Sequence, residues 1–307
     1  MSFITPKPLR PGDTVAMVGI SGCIHNDHPQ EEVDRAAELL RSLGFTVRVD
    51  PTCAEQFGFL SGTDEERAAA LNRAFADEEI DGVWCVKGGY GVARMLPGVD
   101  WDLVLAHPKA LIGFSDITAL HMALNSRGLA TFHGPMPRGH GITEASRPSL
   151  MAALAGEPLR EVVNPNGTPL KPLRPGVAEA ELVGGNLSLL AAGCGTPYDL
   201  DVDGKLLFIE EIGEQTYRVD EFLWQLDHAG KFRRCAGILL GGFTNCTEEY
   251  DHSHCFSLED ILDQLARRVQ VPVLSGLQAG HVDDPVTLCL GRHYRLDADR
   301  GCLTCLG

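Results

Sequence analysis

The chain has 307 residues, of which 44% are hydrophobic and 22% charged, ordinary globular usage that leaves material for a sizeable core and excludes wholesale disorder. An excess of 42 Asp plus Glu over 26 Lys plus Arg, a net charge of −16, argues against nucleic acid as a partner, so any anionic substrate must be met by local groups. No apolar run is long enough to span a bilayer, and the N-terminal MSFITPKPLRPGDTVAM lacks the order of a secretory signal. A cytoplasmic protein with no membrane association is expected, its ten cysteines reduced.

Thr14 to Ile20 reads as a buried strand, Gln30 to Leu43 as an amphipathic helix stopping at Gly44, and Phe45 to Val49 as a second strand, together a βαβ beginning. Asp64 to Ala76 is a helix opened by Thr63 as N-cap, with Glu66 at the reciprocal capping position. Strands follow at Gly82 to Val86 and Ala110 to Phe114, and a helix from about Asp116 to Asn125. Strands alternating with helices imply a parallel sheet covered on both faces. From Gly156 to Pro175 the pattern dissolves into proline, asparagine and glycine, which sets a boundary between residues 1–165 and 166–307. Beyond it, Ala178 to Val183, Lys205 to Ile209, Ala236 to Leu240 and Thr287 to Leu290 read as strands, with helices at Val219 to Asp227 and Leu258 to Arg268. The fold class is α/β: an N-terminal parallel-sheet domain and a smaller β-rich C-terminal one.

Four segments carry candidate chemistry. In Ala110-Leu-Ile-Gly-Phe-Ser-Asp-Ile-Thr, an apolar strand runs into Ser115 and straight on into a helix. Such a turn projects a hydroxyl from the carboxyl edge of a parallel sheet, beside helical N–H groups able to stabilise an oxyanion; the same serine would also serve as a plain helix N-cap. In Val86-Lys-Gly-Gly-Tyr-Gly-Val-Ala-Arg, Gly88, Gly89 and Gly91 permit close approach of backbone to a ligand, or simply a tight connection, and neither the P-loop ending nor the dinucleotide spacing is present. Phe208-Ile-Glu-Glu-Ile-Gly-Glu ends a strand in acidic residues, and Ala279-Gly-His-Val-Asp-Asp-Pro puts His281 in a loop; taken singly, neither separates catalysis from structure, and His121, His133 and His140 compete for a base role. Alternation along the strand puts Glu210 and Glu211 on opposite faces, so one of them can reach His281.

With these segments in hand, the chain resembles the L,D-carboxypeptidase family of serine peptidases, which also contains the microcin C immunity peptidases. The resemblance runs through Phe59-Leu-Ser-Gly-Thr-Asp-Glu-Glu-Arg, Lys87-Gly-Gly-Tyr-Gly, Gly113-Phe-Ser-Asp, His133-Gly-Pro-Met, Gly184-Gly-Asn-Leu, Leu207-Phe-Ile-Glu-Glu, Tyr217-Arg-Val-Asp and Gly280-His followed by Thr287-Leu, in the family's order. It implies Ser115 as nucleophile, His281 as base and Glu210 as the residue orienting it, with the backbone N–H groups of Gly89 and Asp116 as oxyanion donors. It also implies a site between two domains, acyl transfer with no metal or cofactor, and a muropeptide tetrapeptide losing its terminal D-alanine during cell-wall recycling. A homodimer is implied as well. The terminal carboxylate would meet the helix N-terminus at Ser115 or a base such as Arg94, and Glu211 is expected to face outward.

Two other functions fit parts of the pattern. A microcin-immunity type of peptidase would cleave a peptidyl-nucleotide, but residues 144–175 contain no Trp, Tyr or Phe to stack on a base. A non-catalytic binding protein would keep the cleft without needing Ser115, Glu210 and His281 together. The segments Cys246-Thr-Glu-Glu-Tyr-Asp-His-Ser-His-Cys and Cys302-Leu-Thr-Cys hold metal-ligand residue types without a second pair at zinc-finger spacing, so free thiols are expected there.

Overall fold

The computed structural model describes residues 3–139, 141–157, 161–248 and 255–307. His140 and residues 249–254 of the cysteine- and histidine-rich segment, both singled out above, lie outside the described residues.

Thirteen strands are described: β1 (Thr14–Val18), β2 (Thr46–Val49), β3 (Gly82–Cys85), β4 (Ala110–Gly113), β5 (Thr131–His133), β6 (Lys171–Arg174), β7 (Val177–Asn186), β8 (Leu206–Ile212), β9 (Gly237–Thr244), β10 (Val273–Ser275), β11 (Leu288–Leu290), β12 (His293–Asp297) and β13 (Cys302–Cys305). They form two sheets, ordered β11-β5-β4-β3-β1-β2 and β13-β12-β7-β8-β9-β10-β6.

In the first sheet β2, β1, β3, β4 and β5 run parallel, the four that follow β1 in the chain each entered through a helix, and the order reverses between β1 and β3. Such a reversal opens a crevice at the carboxyl edge. Apolar cores lie on both sides of this sheet, one around Val83, Leu111 and Leu120 and the other around Met17, Trp84 and Ile112, because alternate residues of the buried strands point to opposite faces. Its second long crossover helix, Asp64–Ala76, starts in the capping box expected from Thr63 and Glu66.

The second sheet is mixed. β7, β8, β9 and β10 are parallel, while β12, β13 and β6 add antiparallel edges. Helices Leu187–Gly193, Thr216–His228 and Leu258–Arg268 supply apolar residues to one of its cores. The molecule is thus an α/β protein whose N-terminal parallel-sheet part is joined to a β-rich C-terminal part. Strand β11, expected among the C-terminal strands, pairs antiparallel with β5 and extends the first sheet. Immediately after it, Gly291 N–H donates to Leu182 O in β7, so this short segment links the sheets.

Candidate active site

Ser115 directly follows β4 and Phe114, and it opens a short 3-10 turn, Ser115–Ile117, that feeds the helix Thr118–Asn125. Its φ is +65°, in the left-handed region that an L-residue occupies only under strain. The serine is not a side-chain cap: Phe114 occupies the cap position and no side-chain capping bond is made. Beneath it, the His121 imidazole donates to Gly113 O (2.9 Å), which also accepts from Gly134 N–H (3.1 Å), so the backbone just before the elbow is held from two sides.

The glycine-rich loop lies against the serine. A Cβ on Gly88 would sit 2.9 Å from Ser115 Cβ and 3.1 Å from its Oγ, so only glycine permits this approach. Gly89 and Gly91 have φ of +131° and +119°. The Asp116 carboxylate fastens the arrangement, accepting from Ser21 Oγ (2.6 Å), in the loop after β1, and from Val92 N–H (2.9 Å), just past the glycines. Burial pushes this carboxyl above its usual range, against the pull of those donors and of Arg67. Arg67 is fully buried and donates to Ile20 O and Gly91 O (both 2.8 Å) while pairing with Asp64. The loops after β1, β3 and β4 are thereby tied into one rigid edge. Neither the Asp116 side chain nor Arg67 was anticipated; the available signal was an arginine on the buried face of an otherwise amphipathic helix.

The second sheet presents its own carboxyl edge. Glu210, near the end of β8, is fully buried, and its Oε2 accepts from both the Nδ1–H (2.7 Å) and the backbone N–H (3.1 Å) of His281. Gly280 makes this possible: its φ is +94°, and a Cβ there would lie 2.6 Å from Glu210 Cγ. The His281 ring packs on Phe114 with centroids 4.7 Å apart, next to Ser115, and the His281 carbonyl accepts from Thr244 Oγ1. In contrast to the outward position expected for it, Glu211 is buried. It accepts from Asn186 Nδ2 (2.8 Å), Ser188 N–H (2.7 Å) and Ile212 N–H (2.8 Å), because the opposite face of β8 is covered by the start of helix Leu187–Gly193. Burial raises the Glu211 carboxyl above its ordinary range.

The two edges are joined by buried polar contacts, among them Asn186 N–H to Thr118 Oγ1 (3.0 Å). Between them opens a cavity of about 620 Å³ lined by Phe114, Ile212, Thr244, Asn245, His281 and Asp283. Glu210 and His281 are in hydrogen-bonded contact, Ser115 follows the phenylalanine under the histidine ring, Asp116 is the next residue, and the glycine-rich loop reaches the serine through Gly88, with Gly89 one residue on. Arg94 is engaged by Asp64 (3.1 Å). Among the described residues no group of His, Cys, Asp and Glu is arranged to hold a metal, and all ten cysteines are unbonded.

Comparison with known proteins agrees with this architecture. Residues 15–134 match the LD-carboxypeptidase N-terminal domain and residues 179–296 the LD-carboxypeptidase C-terminal domain. The chain is 38% identical over 294 residues to a probable murein peptide carboxypeptidase of Bacillus subtilis (strain 168), covering 93% of this chain and 89% of that one. It is 37% identical over 235 residues to the murein tetrapeptide carboxypeptidase of Pseudomonas aeruginosa PAO1, covering 74% and 75%. The crystal structure of muramoyltetrapeptide carboxypeptidase from Oxalobacter formigenes is similar with a TM-score of 0.82 at 26% identity, over 95% of this chain and 97% of that one. MccF in complex with glutamyl sulfamoyl guanosine shares the fold, with a TM-score of 0.85 at 23% identity over 98% and 97%. With both domain models matched in order along one chain, this protein belongs to the LD-carboxypeptidase family.

Proposed function

We propose that the chain is a serine-type carboxypeptidase that removes the terminal D-alanine of a murein tetrapeptide, with Ser115 as nucleophile, His281 as base and Glu210 as its orienting carboxylate. The observation that carries this reading is the double grip of Glu210 Oε2 on His281, 2.7 Å from Nδ1 and 3.1 Å from the backbone nitrogen, on a ring packed beside a strained serine. Donation through Nδ1 leaves Nε2 as the proton acceptor. His281 Nε2 takes the Ser115 proton as Oγ attacks the scissile carbonyl, and Glu210 balances the imidazolium that forms.

The developing oxyanion meets the N–H of Asp116, orphaned by its place in the first turn after β4, and that of Gly89 in the adjoining loop. His281 then passes its proton to the departing amine of D-alanine. Water, activated by the same imidazole, hydrolyses the acyl-enzyme and frees Ser115. The carboxypeptidase relatives at 37–38% identity support the murein substrate; the likeness to MccF is one of fold.

The test is incubation of the purified protein with L-Ala-γ-D-Glu-meso-diaminopimelyl-D-Ala and with its all-L counterpart. D-alanine should be released from the first, and Ser115→Ala should lower kcat by roughly a thousandfold or more. Full activity in Ser115→Ala would overturn the mechanism.

A further inference from the structure

Behind the His281–Glu210 pair lies a buried polar cluster that the proposed triad does not use. His133, at the end of β5, belongs to the first sheet, yet its Nε2 stands 3.9 Å from Glu210 Oε1. Both side chains are essentially inaccessible to solvent, at 1% and 0% exposure, and neither of these two atoms has a hydrogen-bond partner among the described residues. Glu210 thus has one oxygen receiving two donors from His281 and another that, among the described residues, has no donor and lies 3.9 Å from His133 Nε2. A bare buried carboxylate oxygen is unfavourable, and the imidazole can offer it a donor.

The ring is held in place. Phe208 packs on it edge-on with centroids 5.0 Å apart, Phe114 lies at 5.9 Å and His121 at 6.1 Å. Burial, reinforced by the neighbouring histidines, keeps His133 well below the ordinary histidine range, so near neutral pH the ring carries one proton. The carboxylate favours the tautomer with that proton on Nε2, since the other would set two lone pairs against each other. A movement of about 1 Å brings the pair to hydrogen-bond distance, and catalytic contacts that are long in an empty site commonly tighten with substrate.

We propose that His133 is a positioning residue: its Nε2–H holds Glu210 Oε1 from the side opposite His281, fixing the carboxylate in the orientation that aligns the base. The assignment rests on the Ser115–His281–Glu210 reading. The titratable groups around Glu210 are His281 from the loop after β10, His133 from β5, His121 from helix Thr118–Asn125 behind it, and Glu211 on its own strand, turned toward Asn186 and Ser188.

The experiment measures kcat and KM against pH, on the same D-alanine tetrapeptide, for the native protein, His133→Leu, His133→Gln and Ser115→Ala. In His133→Leu, kcat should fall about tenfold or more with KM little changed. The acid limb of kcat/KM should also move to higher pH, because a carboxylate deprived of a donor makes the coupled pair bind its proton more tightly. In His133→Gln, whose amide can donate from a similar position, both should return toward native. An unmoved acid limb in His133→Leu, or a Gln variant no better than Leu, would overturn the assignment. If His133→Leu does not fold, His133→Asn, whose amide is too short to reach, takes its place against Gln with the same expected contrast. Loss of turnover in Ser115→Ala beside an unaffected His133→Leu refutes the positioning role alone, whereas activity surviving in Ser115→Ala refutes the triad beneath it.

Discussion

The placement of Gly280 gives a sharp test of how the Glu210–His281 pair is built. Replacing it with alanine would set a Cβ 2.6 Å from Glu210 Cγ and 2.7 Å from its Cδ, on a backbone with φ of +94°. The positive φ costs about 1–3 kcal/mol for a non-glycine residue, and forcing a methyl group into a closed site costs about 1–3 kcal/mol more. Glu210 is fully buried and has no solvent to retreat into, so the relief must come from the 2.7 Å bond to His281 Nδ1. We expect Gly280→Ala to remain folded with a lowered Tm and to lose kcat by on the order of a hundredfold or more, as when a base loses its orienting group.

Gly276 provides the control. It has a φ of +81°, but a Cβ there would meet nothing nearer than 3.8 Å, so Gly276→Ala carries the backbone strain without the collision. Release of D-alanine followed with a D-amino acid oxidase couple, beside thermal melts by circular dichroism, separates the two effects. A folded Gly280→Ala enzyme with kcat within about threefold of native, or a Gly276→Ala enzyme equally impaired, would refute the reasoning.

Two further outcomes are expected. Asp116→Ala leaves Ser21 Oγ and Val92 N–H without their buried acceptor, which should destabilise the fold by about 1–3 kcal/mol and lower kcat by loosening the glycine-rich loop. Asp116→Asn keeps an acceptor and should show the smaller effect in the same chemical denaturation and turnover assays. His121, pushed down from 6.5 to about 4 by burial, refuses a proton that the unfolded chain accepts. Stability should therefore fall as pH drops from about 6.5 toward 4, by about 3 kcal/mol from this group. His121→Gln should show a correspondingly shallower pH dependence in urea melts between pH 7.5 and 4.5; an unchanged dependence would contradict the burial argument.

Much of the frame was legible in local patterns. The Thr63–Glu66 capping box and the helix it opens over Asp64–Ala76 need only neighbours three residues apart, and an apolar run such as Ala110–Gly113 between a helix and a turn can hardly be anything but a buried strand. Strand alternation alone separated Glu210 from Glu211, since successive side chains leave opposite faces. It could not say what covers the second face: Glu211 reads as a solvated acid until Asn186 and Ser188 are brought to it from 25 and 23 residues away.

Sequence by itself determined the α/β class, the parallel N-terminal sheet and the order of motifs that places the chain in its family, because these follow from periodicity, capping and residue identity. Tertiary structure alone decided the rest. It set Ser115 at a positive φ where no glycine marks the position, drew Arg67 and Asp116 inward to clamp three loops, moved Leu288–Leu290 onto the first sheet, and brought His133 to within 3.9 Å of Glu210 across 77 residues of chain. Each depends on contacts between segments distant in sequence, where the free energy comes from burying and satisfying polar groups together, and no local pattern of residues records which partners will meet.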